Sequence, residues 1–204
     1  MKISAILSTT NLVLCLLLSS LLSHTAQAKN QLITMQTEQG DIKIELYSDK
    51  APISSANFLR YIKAGGFKGG EFYRVVRLDN DNGEPKIEVI QGGANPEFKD
   101  FPAIKLETTQ TTGIRHLDGT LSMARAEPDT ATSAFFICIG AQPSLDFGGT
   151  RNKDGQGFAA FGRVVEGMDV VKQIHQIQDT VTTDEAYTQG QILQHPVKIK
   201  DVTF

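Results

Sequence analysis

Apolar and polar residues alternate with a period of two over much of this chain, and that pattern carries most of what can be read locally. Ile33, Met35 and Thr37, then Ile42, Ile44 and Leu46, alternate with polar neighbours on either side of Glu38-Gln39-Gly40-Asp41. This predicts a β-hairpin, because successive side chains of a strand point to opposite faces. Val197, Ile199 and Val202-Thr203-Phe204 predict a terminal strand in the same way. Two stretches follow a helical spacing instead. One starts at Pro52, directs Ile53, Ala56, Leu59 and Ile62 toward a core and stops at Gly65-Gly66; the other runs from Met168 to Gln176 with Met168, Val171 and Ile174 on one stripe. Many short strands with two helices predict a mainly β fold, a closed antiparallel β-barrel capped by two α-helices, although spacing alone does not separate that from a sandwich.

One strand carries an anomaly. In Gly70-Glu71-Phe72-Tyr73-Arg74-Val75-Val76, alternation puts Arg74 on the same face as Phe72 and Val76. A guanidinium between apolar neighbours needs acceptors or water.

The N-terminus adds a different signal. Lys2 precedes an apolar run from Leu12 to Leu22, and Ala26-Gln27-Ala28 has the A-x-A form of a processing site. The run is shorter than the roughly 20 residues that a spanning helix needs. Residues 1–28 therefore read as a cleaved signal peptide, with an uncleaved anchor as the alternative, and residues 29–204 as one domain. The segment holds one of the chain's two cysteines, Cys15, so only Cys138 remains after cleavage and no internal disulfide can form. Cys138 lies in the apolar run FFICIG and reads as a small buried hydrophobe. A formal net charge of −3, made more negative by removal of Lys2, argues against a nucleic-acid partner.

Familiar catalytic patterns are absent. His116, His175 and His195 have no metal-ligand spacing, and His175 reads as a solvated helix residue. Asp79-Asn80-Asp81-Asn82-Gly83 opens like a calcium loop but has Glu84 where glycine is required, so a turn on Asn82-Gly83 is expected. Gly148 to Gly157 is glycine-rich without a phosphate-binding order and reads as a long surface loop. Neither GxSxG nor HExxH occurs.

FYRVV at Phe72 to Val76, VIQGG at Val89 to Gly93, GTLSMARAEPDTATSAFFI at Gly119 to Ile137 and FGRVVEGMDVV at Phe161 to Val171 resemble, in content and order, the cyclophilin-type peptidyl-prolyl cis-trans isomerases, bacterial secreted members above all. The resemblance implies that Arg74 is the catalytic group. It further implies that Gln91 contacts substrate and orients Arg74, that Phe136 floors a proline pocket, that Leu145 walls it, and that Ala124 lines the groove with its backbone. No cofactor or metal is implied, and the partners are proline-containing polypeptides; a monomer is expected.

The sequence departs from the commonest family pattern at several places. Glu88 and Val89 stand for an aromatic and a methionine, Arg125 for an asparagine, Ala134 for a groove glutamine, Ser144 for a tryptophan and Phe158 for a histidine. Phe158 keeps an apolar wall, Arg125 would favour acidic residues beside the proline, and Ser144 implies weak cyclosporin binding. The reading is thus an isomerase of exported or unfolded proteins in the periplasm, or alternatively a proline-segment binding module or chaperone of the same fold with little turnover.

Overall fold

A computed structural model describes residues 29–204; the signal-peptide reading of residues 1–28 lies outside the described residues. The hairpin of β1 (Gln31–Thr37) and β2 (Gly40–Leu46) pairs in continuous register from Gln31 with Leu46 to Thr37 with Gly40. It is joined by β3 (Glu71–Val76), β4 (Val89–Gly93), β5 (Thr120–Met123), β6 (Phe135–Cys138), β7 (Ala159–Glu166) and β8 (Ile192–Thr203). The neighbour order β1-β2-β7-β5-β6-β4-β3-β8 closes on itself, since β8 also pairs with β1, and every pairing is antiparallel. Closure leaves no sheet edge to template aggregation.

The inward side chains form one core, including Ile33, Ile44, Phe72, Val75, Ile90, Leu121, Phe135, Ile137, Phe161 and Ile199. Two helices, α1 (Pro52–Lys63) and α3 (Met168–His175), add Phe58, Tyr61 and Ile62, and Val171 and Ile174, to it. Between them, Thr109–Thr112 form a single-turn helix, α2, that the sequence pattern does not predict. Among the described residues, no helix is long and apolar enough to cross a membrane.

The buried face of α1 differs from the expected one. Ile53 and Ala56 are exposed, whereas Ser54, Ser55, Asn57, Phe58, Leu59, Tyr61 and Ile62 are buried. The reason lies far along the chain: the buried Glu107 carboxylate accepts from the backbone N–H groups of Ile53 and Ser54 and from the Ser54 hydroxyl. The orphan donors of the first turn are satisfied from inside, so the polar start of the helix turns toward the protein. His175 is also corrected. It is buried, with Nε2 2.9 Å from the Val76 carbonyl oxygen, because the last turn of α3 packs on β3.

Candidate active site

The arginine anomaly resolves in the pairing of β3. Phe72 opposes Gly92 of β4 and Arg74 opposes Gln91, so Tyr73 is an extra residue in a β-bulge. An extra residue breaks the two-residue period, and the side chains beyond it change faces. Phe72 and Val75 point into the barrel core, while Arg74 and Val76 face outward. The expected shared face of Arg74 and Phe72 is thereby corrected: the bulge keeps the cation out of the core.

On the outside of the barrel the register aligns three functional candidates. Arg74 pairs with Gln91 across β3–β4, and Gln91 pairs with Phe136 across β4–β6. Directly opposed residues lie about 5 Å apart, so the three form a row transverse to the strands. Beneath it is a second, smaller apolar cluster of Val76, Ile87, Val89, Phe136, Cys138 and Leu145, with Ala124 and Phe158 packed against it. The row and this cluster border an open groove of about 420 Å³. Arg74, Val89, Gln91, Ala124, Arg125, Phe136, Leu145 and Phe158 all line it.

Hydrogen bonds aim the polar members. Gln91 donates Nε2–H to the Tyr73 hydroxyl at 2.8 Å, which turns its Oε1 toward Arg74, whose Nη1 donates to it at 3.0 Å. Burial pushes the Tyr73 phenol up, so it stays neutral. Arg74 Nε and Nη2 both donate to Gln191 Oε1, at 2.9 and 2.6 Å. Three N–H groups are engaged in this way, which leaves two of a guanidinium's five without an acceptor among the described residues.

The apolar floor has its own support. The Phe136 ring meets Phe158 edge-on at 5.3 Å and stacks on His116 at 5.8 Å. Asp146 Oδ1 accepts from the His116 backbone N–H at 3.0 Å and lies 2.8 Å from its Nδ1, while His116 Nε2 lies 2.9 Å from Ser122 Oγ. Burial raises the Asp146 carboxyl, but the hydrogen bonds from His116 and Arg115 outweigh it and hold the group below the usual carboxylate range. Serine, histidine and aspartate thus stand in the order of a hydrolase triad. Ser122 is 0% and His116 1% exposed, however, so no substrate reaches the hydroxyl and the three act as a post under Phe136.

Comparison with known proteins agrees with this geometry. Residues 32–204 match the family model described as cyclophilin type peptidyl-prolyl cis-trans isomerase/CLD. The chain belongs to this family. A peptidyl-prolyl cis-trans isomerase of Acinetobacter baylyi is 34% identical over 189 residues, 92% of each chain. Peptidyl-prolyl cis-trans isomerase A of Dickeya dadantii is 38% identical over 150 residues, 72% of each. A cyclophilin crystal structure from Cryptosporidium parvum, at 20% identity, shares the fold with a TM-score of 0.63 over 86% of this chain and 97% of its own.

Within this cyclophilin, several sequence expectations need revision. Arg125 lines the groove, but its side chain is 1% exposed and its guanidinium donates to both carboxylate oxygens of Asp154, at 2.7 and 3.0 Å, and to the Gly157 carbonyl. The charge is matched within the protein, and the expected bias toward acidic neighbours of proline loses its physical basis. The turn expected on Asn82-Gly83 falls earlier, over Leu78–Asn80, where Arg77 O accepts from Asp81 N; Asp81 is drawn inward to accept from Arg151 and from the backbone N–H groups of Gly83 and Ile87. The loop from Gly148 to Gly157 is accordingly more than a surface excursion, because it buries Arg151 against Asp81, with side chains 2% and 0% exposed. Gly157 holds the far end of that loop: at φ +65° its absent Cβ would lie 2.5 Å from Leu145 O.

Sequence reasoning missed Gln191, Tyr187, Tyr73 and Arg151. Tyr187 lines the groove with its ring between two cations, 5.1 Å from Arg74 Cζ and 5.5 Å from Arg151 Cζ. No periodic or motif signal marks Gln191 or Tyr187, which come from an irregular stretch more than 110 residues beyond Arg74. Arg151 pairing with a buried aspartate was hidden by its glycine-rich, polar surroundings.

Proposed function

We propose that this cyclophilin accelerates rotation about X–Pro bonds of exported or unfolded polypeptides, with Arg74 steadying the amide in its twisted state. The observation that carries the reading is the row Arg74–Gln91–Phe136, which sets a cation with two spare N–H groups beside an apolar floor in one groove. A peptide bond before proline resists rotation because the nitrogen lone pair is delocalised, giving a barrier of about 18–20 kcal/mol. Proline nitrogen has no hydrogen. A guanidinium N–H directed at it donates a hydrogen bond to the lone pair as it localises, and no proton has to be transferred. One hydrogen bond from a charged donor contributes about 1.5–3 kcal/mol, whereas five decades of rate need about 7 kcal/mol. The rest falls to the groove: Phe136, Leu145, Val89 and Phe158 grip the ring, and Gln91 with the Ala124 backbone holds one side of the substrate while the other turns. A related Cryptosporidium parvum cyclophilin was crystallised in the presence of the dipeptide Ala-Pro, which supports a proline peptide as the guest here.

The test is NMR exchange spectroscopy on a short proline peptide. Wild type is expected to add cis–trans exchange, and Arg74→Ala to lose it by a factor of about 100, roughly 2.7 kcal/mol. Binding of the peptide without added exchange by wild type would leave a binding module instead. Equal exchange by both proteins would remove Arg74 from the role.

We further propose that residues 1–28 are removed and that the enzyme works in the periplasm. The A-x-A site supports this, and cleavage after Ala28 would leave every strand intact because β1 begins at Gln31. Detection of Lys29 as the N-terminal residue in a periplasmic extract checks both points.

A further inference from the structure

The catalytic reading leaves Gln191 unexplained. It is 0% exposed and stands just before β8, yet its side chain reaches Arg74 rather than a backbone partner of its own strand. Its Oε1 accepts from both Nε and Nη2 of Arg74, the paired edge of the guanidinium, and its Nε2 donates to Asn80 O at 2.7 Å. Its backbone is pinned as well: Gln191 O accepts from Val75 N at 2.9 Å, and Gln191 N donates to Thr188 O. Asn80, in turn, accepts from Arg77 N and donates to Val75 O and Gly190 O. Asn82 adds donations to Gln189 O and Tyr187 O. The asparagine-rich stretch that resembled a calcium loop is thus a staple between the β3–β4 connection and the segment that leads into β8.

We propose that Gln191 is a positioning residue for Arg74, resting on the isomerase reading above. Gln91 holds only Nη1, and a single hydrogen bond to a long side chain does not fix its plane. The two-point contact with Gln191 does, because one acceptor shared by Nε and Nη2 sets the direction of the whole planar group. It also decides which N–H groups remain for substrate: the edge facing Gln191 is consumed, and the spare donors lie on the terminal nitrogens. A small error in the placement of a reacting group lowers rate steeply while leaving binding of the guest to the apolar floor untouched.

Two variants separate this role from a purely structural one. Gln191→Leu and Gln191→Glu both abolish the donation to Asn80 O, but only Gln191→Glu still offers an oxygen to Arg74. Gln191→Leu is expected to lower kcat/KM for a proline peptide about tenfold with the peptide Kd within about twofold, and to broaden the Arg74 Nε–H resonance through faster solvent exchange. Gln191→Glu is expected to keep most of the activity and the sharp resonance, even though its melting temperature falls as far. Wild-type kcat/KM in Gln191→Leu, or equal losses in the two variants, overturns the proposal. In an Arg74→Ala background, Gln191→Leu should cost nothing further, and a further loss there also overturns it. Should Arg74→Ala by itself leave catalysis unchanged, the isomerase role of Arg74 fails; that outcome is distinct from failure of the positioning role, in which Arg74→Ala is slow and Gln191→Leu is not.

Discussion

Arg125 shows how a formal charge can border a groove without presenting itself to a guest. Its guanidinium lies 5.3 Å from the Phe158 ring centroid and is locked on Asp154 and Gly157, so it serves the wall as packing and as a tie to the loop. The Arg125 donor accordingly holds the Asp154 carboxyl below its ordinary value. Peptides with glutamate or lysine beside the proline are expected to be turned over with kcat/KM within about twofold of each other. Asp154→Ala should unmask the cation and shift the ratio toward glutamate, by about threefold or more for a partly exposed charge. Ser144 makes a second residue-scale case. It sits beside Leu145 in the short 3-10 turn Pro143–Leu145 and offers a guest no aromatic surface, so weak cyclosporin binding is proposed. Inhibition titrations should show Ser144→Trp tightening by about tenfold, ~1.4 kcal/mol, as a large ring gains apolar contact. Arg74, Gln91 and Phe136 are singled out by the family resemblance of FYRVV, VIQGG and FFI, and the structure sets all three along one groove. Gln191 is not singled out, since a glutamine between a glycine and an isoleucine carries no local sign of a partner 117 positions away.

At the scale of elements, the groove depends on three irregular segments joined at one guanidinium. Arg151 donates to both oxygens of Asp81 at 2.7 and 2.8 Å and also to the Tyr187 hydroxyl at 2.8 Å, so the 147–157 loop, the β3–β4 connection and the 186–191 segment meet at one guanidinium. Burial raises the Asp81 carboxyl, yet Arg151 and the Gly83 and Ile87 amides prevail and leave it below its ordinary value of 3.8. A carboxyl lowered by folding adds stability that is complete above its unfolded pKa and is lost as the pH falls through the folded one. The stability gap between wild type and Asp81→Asn should therefore shrink as the pH falls from about 5 to about 2, measured by urea unfolding at each pH. At neutral pH, Arg151→Ala strands a buried carboxylate and is expected to cost about 3 kcal/mol, or roughly 6–12 °C in Tm. Helix α1 marks the limit of element-scale reading. Its extent followed from Pro52 and Gly65-Gly66, but its buried face did not, because Glu107 supplies from a distance the acceptors that let Ser54 turn inward.

For the whole molecule, period-two patterning conveyed a mainly β fold with two main helices, and the family resemblance favoured the closed barrel that spacing alone left open against a sandwich. What patterning could not convey was a bulge: a single surplus residue, Tyr73, leaves the composition of β3 unchanged while reversing the direction of Arg74. The closure of the barrel has a bearing on when this enzyme can work. Arg74 leans on a neighbour from β4 and on another that enters with β8, the last strand, which must slot between β3 and β1. A chain still emerging from synthesis holds the arginine but not its second support. If Gln191 supports Arg74 as proposed, a copy that still lacks β8 is expected to turn prolines over only slowly, and full turnover waits until that strand has joined the barrel.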